Sequence, residues 1–304
     1  MIENTMFLED VKSLIDNDQK DKLIRFICNN KNKELTSYEW KEFTKSFYDH
    51  DVLKDAININ GMGGCGIIKP NLSSVASMYV AIISEQKVVK TGSVSRRGVF
   101  GSTDFFYSIG LMDKNIRKAF FEKYNFLYLD YLEINPWKKY KKELALNFCI
   151  KKILENTLFL EYEANFLFLG LSDIEYYKRL NCKDIVNKPR NIHTYYSKID
   201  DLIIDEIIPG KIFVDQVLFY EIESGGIPPI VSPKEVMRID NDLLCGKCND
   251  EFWKKALFYT VSILLFKLNY REDFLEIMEI VKDTYNSGKV FKALESVKFS
   301  YKSS

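Results

Sequence analysis

Ala56-Ile57-Asn58-Ile59-Asn60, running into Gly61-Met62-Gly63-Gly64-Cys65-Gly66, is the stretch on which the fold turns. The first five residues read as a short strand, and the glycines after them as a tight loop. Beyond Pro70 an apolar helix is expected from about Ser73 to Ser84, then a strand from Lys87 to Thr91, a turn at Gly92, a Gly/Ser-rich loop to Ser102 and another helix. Strand, glycine loop, helix and strand make a βαβ unit, which predicts an α/β fold around a mixed, mostly parallel sheet.

Upstream, from Phe7 to about Tyr48, apolar residues recur at spacings of three and four (Val11, Leu14, Ile15, Leu23, Ile24, Ile27), a helical pattern. Thr36-Ser37-Tyr38-Glu39 has the form of a capping box opening the last of these helices. Downstream, strands are expected at Phe126–Leu129, Asn165–Leu169, Arg190–His193 and Gln216–Ile222, with a long amphipathic stretch at Trp137–Leu154. The chain is expected to end in two helices, Glu251–Leu268 and Asp273–Ser287, with Gly288 just past the second. This gives a small helical domain over 1–50, completed by helices within about 105–154, and a larger α/β domain over 51–304.

Composition narrows the function. The 304 residues are 46% hydrophobic and 28% charged, which is globular and not disordered. Lys plus Arg and Asp plus Glu both total 43, so no net field draws the chain onto nucleic acid or anionic lipid. Ala256–Phe266 is too short to cross a bilayer and reads as a buried helix. The acidic N-terminus lacks the pattern of a secretory signal, and the six scattered cysteines do not form a disulfide framework. A cytoplasmic protein is expected.

The glycine loop matches G-x-G-x-x-G, but Ile67-Ile68-Lys69-Pro70 intervenes before any helix, which argues against a dinucleotide site. What the loop offers is backbone N–H groups without Cβ obstruction, a cradle for phosphate. Asn71, Ser73 and Ser74 lie at a helix N-terminus, where an anion is favoured, although taken alone Asn71 or Ser73 reads first as a plain helix cap. Lys90 ends the next strand, with Gly92, Ser93, Arg96, Arg97, Gly98, Gly101 and Ser102 beyond it.

This order of motifs resembles the anthranilate phosphoribosyltransferase family, which shares its fold with the pyrimidine and thymidine nucleoside phosphorylases. The family pattern G-T-G-G-D, N-x-S-T, K-H-G-N-R, G-S-x-D is met by Gly61-Met62-Gly63-Gly64-Cys65, Asn71-Leu72-Ser73-Ser74, Lys90-Thr91-Gly92-Ser93-Val94 and Gly101-Ser102-Thr103-Asp104. Further on, Lys141-Lys142-Glu143-Leu144, Ile192-His193-Thr194, Ile203-Ile204-Asp205-Glu206-Ile207, Leu243-Leu244-Cys245-Gly246 and Ser287-Gly288-Lys289 fall where the family has R-R-E-L, V-H-G, G-L-D-E-I, L-L-G-G and its final S-G. The resemblance spans roughly residues 50 to 297.

It implies that phosphoribosyl pyrophosphate lies along Gly61, Gly63, Gly64, Asn71, Ser73, Ser74, Lys90, Gly92, Gly98 and Ser102. It also implies that Mg²⁺ is held by Ser73, Asp205 and Glu206, that Lys90, Asp205 and Glu206 carry the catalysis, and that Ser93, Lys141 and His193 face the acceptor. A homodimer through the small helical domain is implied as well. Departures fall on the acceptor side and in the loop. Cys65 replaces the loop aspartate, Met62 a threonine, Thr91 a histidine, and Ser93 and Val94 an asparagine and an arginine. Lys141 stands at an arginine position, exchanging a planar fork for a point charge. The expected reaction is therefore phosphoribosyl transfer to an aromatic or heteroaromatic acceptor other than anthranilate. A nucleoside phosphorylase and a catalytically silent relative remain the alternatives. His193 reads as a structural residue or a wall of the site, His50 as surface, and Cys245-Gly246-Lys247-Cys248 as an imitation of a redox motif, with no second cysteine pair to complete a zinc site.

Overall fold

The computed structural model describes residues 2–30, 55–61, 67–93, 100–130, 163–170, 174, 192–223, 226–230 and 232–302. Helices α1 (Ile2–Asp16) and α2 (Lys20–Asn29) come first and stack Phe7 on Phe26. Then follow β1 (Ile57–Gly61), α3 (Leu72–Ser84), β2 (Val88–Gly92), α4 (Ser102–Ser108), α5 (Lys114–Tyr124) and β3 (Phe126–Asp130). The remainder is β4 (Ala164–Phe168), β5 (Ile192–Ile199), β6 (Leu202–Ile204), β7 (Lys211–Val214), β8 (Val217–Glu221), α6 (Pro233–Cys245), α7 (Glu251–Lys267), α8 (Phe274–Asn286) and α9 (Lys289–Lys302).

The strands form one sheet in the order β3-β2-β1-β4-β5-β7-β8, with β6 beside β5. The pairs from β3 to β5 are parallel; those of β5 with β6, β5 with β7 and β7 with β8 are antiparallel. The alternation in β1 explains its central place. Ile57 and Ile59 enter the main core, while Asn58 joins a buried polar ladder on the other face. There Asn58 Nδ2 donates to Asn165 Oδ1 at 2.9 Å, and Thr91 Oγ1 donates to Asn58 Oδ1 at 3.0 Å.

Helix α3 is buried from Leu72 to Ile83 and packs on β1, β2 and α7, which also explains why Ala256–Phe266 is so apolar. Around it, Asp113, Ser232, Asp250 and Asp273 each accept backbone N–H groups at the start of α5, α6, α7 and α8. Each cap contributes about 1 kcal/mol.

Two expectations need correction. The strand expected at Arg190–His193 is β5, Ile192–Ile199; the aromatic run Thr194-Tyr195-Tyr196 extends it because β4 and β7 both pair with it. The chain ends in four helices, not two, since Ser232-Pro233 starts α6 and the left-handed Gly288 (φ 63°) turns the chain from α8 into α9. The short strands β6 and β7 are additions to the elements expected from sequence. Helices α4 and α5 pack against α6, α9 and β3. The possible capping box at Thr36–Glu39 and the stretch Trp137–Leu154 lie outside the described residues.

Candidate active site

The acid pair is placed by β6. Ile204 pairs with Ser197, two residues beyond Tyr195, whose β4 partner Phe168 is level with Gly61 at the end of β1. Because β6 runs back antiparallel to β5, Asp205 and Glu206 return to the C-terminal edge of the parallel strands, where open α/β sheets bind ligands. Ser197 Oγ fixes the turn by accepting from Ile208 N at 2.9 Å and donating to Ile208 O at 3.2 Å.

Glu206 is buried against the start of α3. Its Oε2 accepts from Ser73 N at 3.0 Å and its Oε1 from Ser73 Oγ at 3.1 Å. The anion at this helix N-terminus is thus the protein's own carboxylate. Lys69 Nζ donates to Glu206 Oε1 at 3.2 Å and lies 3.5 Å from Asp205 Oδ1. Asp205 Oδ1 is buried and makes no hydrogen bond. Lys90 is fully buried and donates to Thr91 O at 2.9 Å. Burial lowers its pKa to about 8, opposed by the charge of Glu206 and assisted by that of Lys69. Burial likewise raises the Glu206 pKa, with Lys69 acting against it. Gly61 closes the group: a Cβ there would stand 3.1 Å from Ser73 Oγ and 3.9 Å from Lys90 Nζ.

A second set of contacts supports the first. Asn71 does not cap α3 with its side chain; its N and Nδ2 both donate to Asp240 of α6, each at 2.7 Å. Burial pushes the Asp240 carboxyl up to about 7 against the pull of those bonds. Ser74 Oγ donates to Ser102 Oγ at 2.9 Å, and Thr103 Oγ1 donates to Asp130 Oδ2 at 2.6 Å. Asp104 Oδ2 accepts from Gly101 N at 2.8 Å, so this residue serves the local turn. Gly92 permits the approach of α4, because a Cβ there would lie 2.7 Å from Ser102 Cβ. Gly92→Ala is accordingly expected to destabilise the chain by about 1–3 kcal/mol, measured by denaturant unfolding; an unchanged midpoint would refute that close fit.

The structure thus brings Gly61, Asn71, Ser73, Ser74, Lys90, Gly92, Ser102, Asp205 and Glu206 to one region, with Ser93 following Gly92 at its margin. His193 is not joined to them. It pairs level with Phe166, three strands from Lys90 or roughly 14 Å by strand spacing. Its Nδ1 lies 3.0 Å from Asp215 Oδ2, which also accepts from Lys267 at 3.3 Å. Gly63, Gly64, Cys65, Arg96, Arg97, Gly98 and Lys141 lie outside the described residues. Cys245 and Cys248 are free thiols whose pKa values burial raises, which makes them poor nucleophiles.

Two members of the cluster are absent from the residues singled out in the sequence. Lys69 reads there only as part of the segment separating the glycines from the helix. Asp240 does leave a signal: it falls on the buried stripe Val236, Ile239, Leu243, Leu244 of α6, where a lone carboxylate needs a partner.

Fold and site together define an α/β protein with a cluster of acids and lysines at the C-terminal edge of its parallel strands. No family model matches the chain. It is 26% identical over 292 residues to the anthranilate phosphoribosyltransferase of Methanococcus vannielii, covering 88% of this chain and 87% of that protein. It is 24% identical over 315 residues to that of Methanococcus maripaludis, covering 97% of both. Among solved structures it resembles the Thermus thermophilus enzyme, with a TM-score of 0.64 and 15% identity over 97% of this chain and 95% of that one. The Saccharomyces cerevisiae enzyme, in complex with PRPP and Mg, gives a TM-score of 0.64 and 16% identity over 99% and 94%. The chain is thus similar in sequence to anthranilate phosphoribosyltransferases along nearly its whole length, and it shares their fold.

Proposed function

We propose that this protein is a phosphoribosyltransferase that moves the 5-phosphoribosyl group from phosphoribosyl pyrophosphate to an aromatic or heteroaromatic acceptor other than anthranilate, releasing pyrophosphate. The observation that carries this reading is the convergence of Gly61, Ser73 and Lys90 with Asp205 and Glu206, from distant parts of the chain, at the ligand-binding edge of the sheet. The buried ammonium of Lys90 supplies positive charge in a water-poor setting, where it stabilises a departing pyrophosphate far more than it would in solvent. Gly61 leaves the backbone open to the phosphates, and the Ser74–Ser102 bond ties the start of α3 to the start of α4.

Ser73 Oγ, Asp205 and Glu206 are oxygen donors of the kind a hard divalent ion takes, but Lys69 Nζ already stands 3.2 Å from Glu206 Oε1 and 3.5 Å from Asp205 Oδ1, so Mg²⁺ fits the set only by displacing that ammonium. When bound, such an ion would neutralise charge on the leaving pyrophosphate. On the resemblance, Ser93 and Lys141 face the acceptor, and His193, held by Asp215, is a wall residue. The division into a helical domain over 1–50, completed within 105–154, and an α/β domain over 51–304 belongs to the same reading, as do the homodimer and a cytoplasmic location. Among the described residues no helix is long and apolar enough to cross a membrane.

Calorimetric titration with phosphoribosyl pyrophosphate and Mg²⁺, followed by a pyrophosphate-release assay over a panel of aromatic amines and acids, tests the proposal. Saturable donor binding and release with an acceptor other than anthranilate are expected. Absence of donor binding at millimolar concentration would remove the reading, and phosphate-dependent cleavage of nucleosides would replace it with a phosphorylase.

A further inference from the structure

We infer that Lys69 is a resident cation of the pyrophosphate subsite, seated between Asp205 and Glu206 so that the donor binds with little dependence on a divalent ion at the acid pair. This rests on the proposed function, since it concerns how that site holds its donor.

The geometry begins with charge. Asp205 and Glu206 are 2% and 3% exposed, and two adjacent carboxylates so far from water demand compensation. Lys69 provides it at 3.2 Å from Glu206 Oε1 and 3.5 Å from Asp205 Oδ1, with its own side chain only 13% exposed. The charge of Lys90 also favours the ionised form of Glu206. Two lysines therefore already face the acid pair, and a divalent ion arriving there would have to displace an ammonium. Among the described residues no group of three or more His, Cys, Asp or Glu side chains is available to outbid that lysine. An ammonium held by carboxylates does part of what a bridging metal does: it places positive charge between acidic side chains and the phosphates of a ligand. Lys69 is also placed to do so, because Pro70 and Asn71 follow it directly into α3, whose first turn Glu206 caps. The lysine, the helix start and the acid pair are thus joined to one another directly.

Titration of phosphoribosyl pyrophosphate into the full chain, once in EDTA and once in Mg²⁺, decides the matter. The wild-type chain is expected to bind in both, with affinities within about tenfold of each other. Lys69→Met is expected to lose about 30-fold or more in EDTA and to regain binding when Mg²⁺ is added, because the vacated acid pair then accepts the ion. In thermal melts without donor, Mg²⁺ should raise the midpoint of Lys69→Met and leave that of the wild type unchanged. Lys69→Arg, which keeps the charge, should still bind in EDTA. Wild-type binding that appears only with Mg²⁺, or equal binding by wild type and Lys69→Met in EDTA, overturns the inference and leaves the proposed function standing. No binding by the wild type in either buffer removes the proposed function and the inference with it. The wild-type comparison needs no variant, so it decides even if Lys69→Met fails to fold.

Discussion

Glu206→Ala is expected to cost about 3–5 kcal/mol of stability and to lower turnover by about a hundredfold or more. The carboxylate accepts from Ser73 N, Ser73 Oγ and Lys69, so alanine leaves a helix start without its anion and a nearly buried lysine with one acid instead of two. Part of the loss is returned, because burial makes the charged form of Glu206 unfavourable and raises its pKa. Glu206→Gln separates shape from charge. Its amide keeps one acceptor for Ser73 but turns an N–H₂ group toward another donor, so it should also be destabilised, by less than alanine. Urea unfolding with far-ultraviolet circular dichroism, alongside pyrophosphate release, reads both effects. A Glu206→Ala chain as stable and active as the parent would mean that the acid pair is ornamental.

Lys90→Met is expected to move stability and binding in opposite directions. The folded chain holds the Lys90 pKa near 8, below its ordinary 10.5, so the fold disfavours the protonated lysine. Sign follows from that: below about pH 8 the penalty is fully present, and it fades as pH rises through the interval up to the unfolded value of 10.5. Methionine fills similar volume without charge, so at pH 7 the variant should be more stable by roughly 3 kcal/mol, and the gap should close toward pH 10.5. The affinity for phosphoribosyl pyrophosphate should fall sharply, since a desolvated cation is lost from its phosphate subsite. In the wild type near pH 8–9, donor binding should take up protons, because an arriving anion raises the Lys90 pKa. Titration in buffers of different ionisation enthalpy measures this. A variant that is less stable, or binding without proton uptake, would contradict the placement of Lys90.

Much of the fold is legible without coordinates. Local signals carry the βαβ unit: the alternation in Ile57–Asn60, the glycines after it and the apolar run of α3 all depend on near neighbours. The site residues around Ser73, Lys90 and Glu206 are legible through spaced motifs. The antiparallel side is less so, because β6 and β7 are only three and four residues long and owe their form to pairing with β5. Lys69 cannot be read from its surroundings, since its partners lie about as far along the chain as Glu206, 137 residues away. The expectation for the start of α3 shows the limit in another way. A helix N-terminus does hold an anion there, but the chain supplies that anion itself.

The bond between Ser73 and Glu206 joins residues 133 positions apart in the chain. Its consequence is one of timing. While the polypeptide is being synthesised, the glycine loop and α3 leave the ribosome long before β6 exists, and their lysines and amides have no acid to meet. Any proteolytic fragment or truncated product ending ahead of Leu202 would carry every phosphate-cradling motif and yet have no assembled pocket. Competence for ligand should therefore appear abruptly and late, as the second half of the sheet docks.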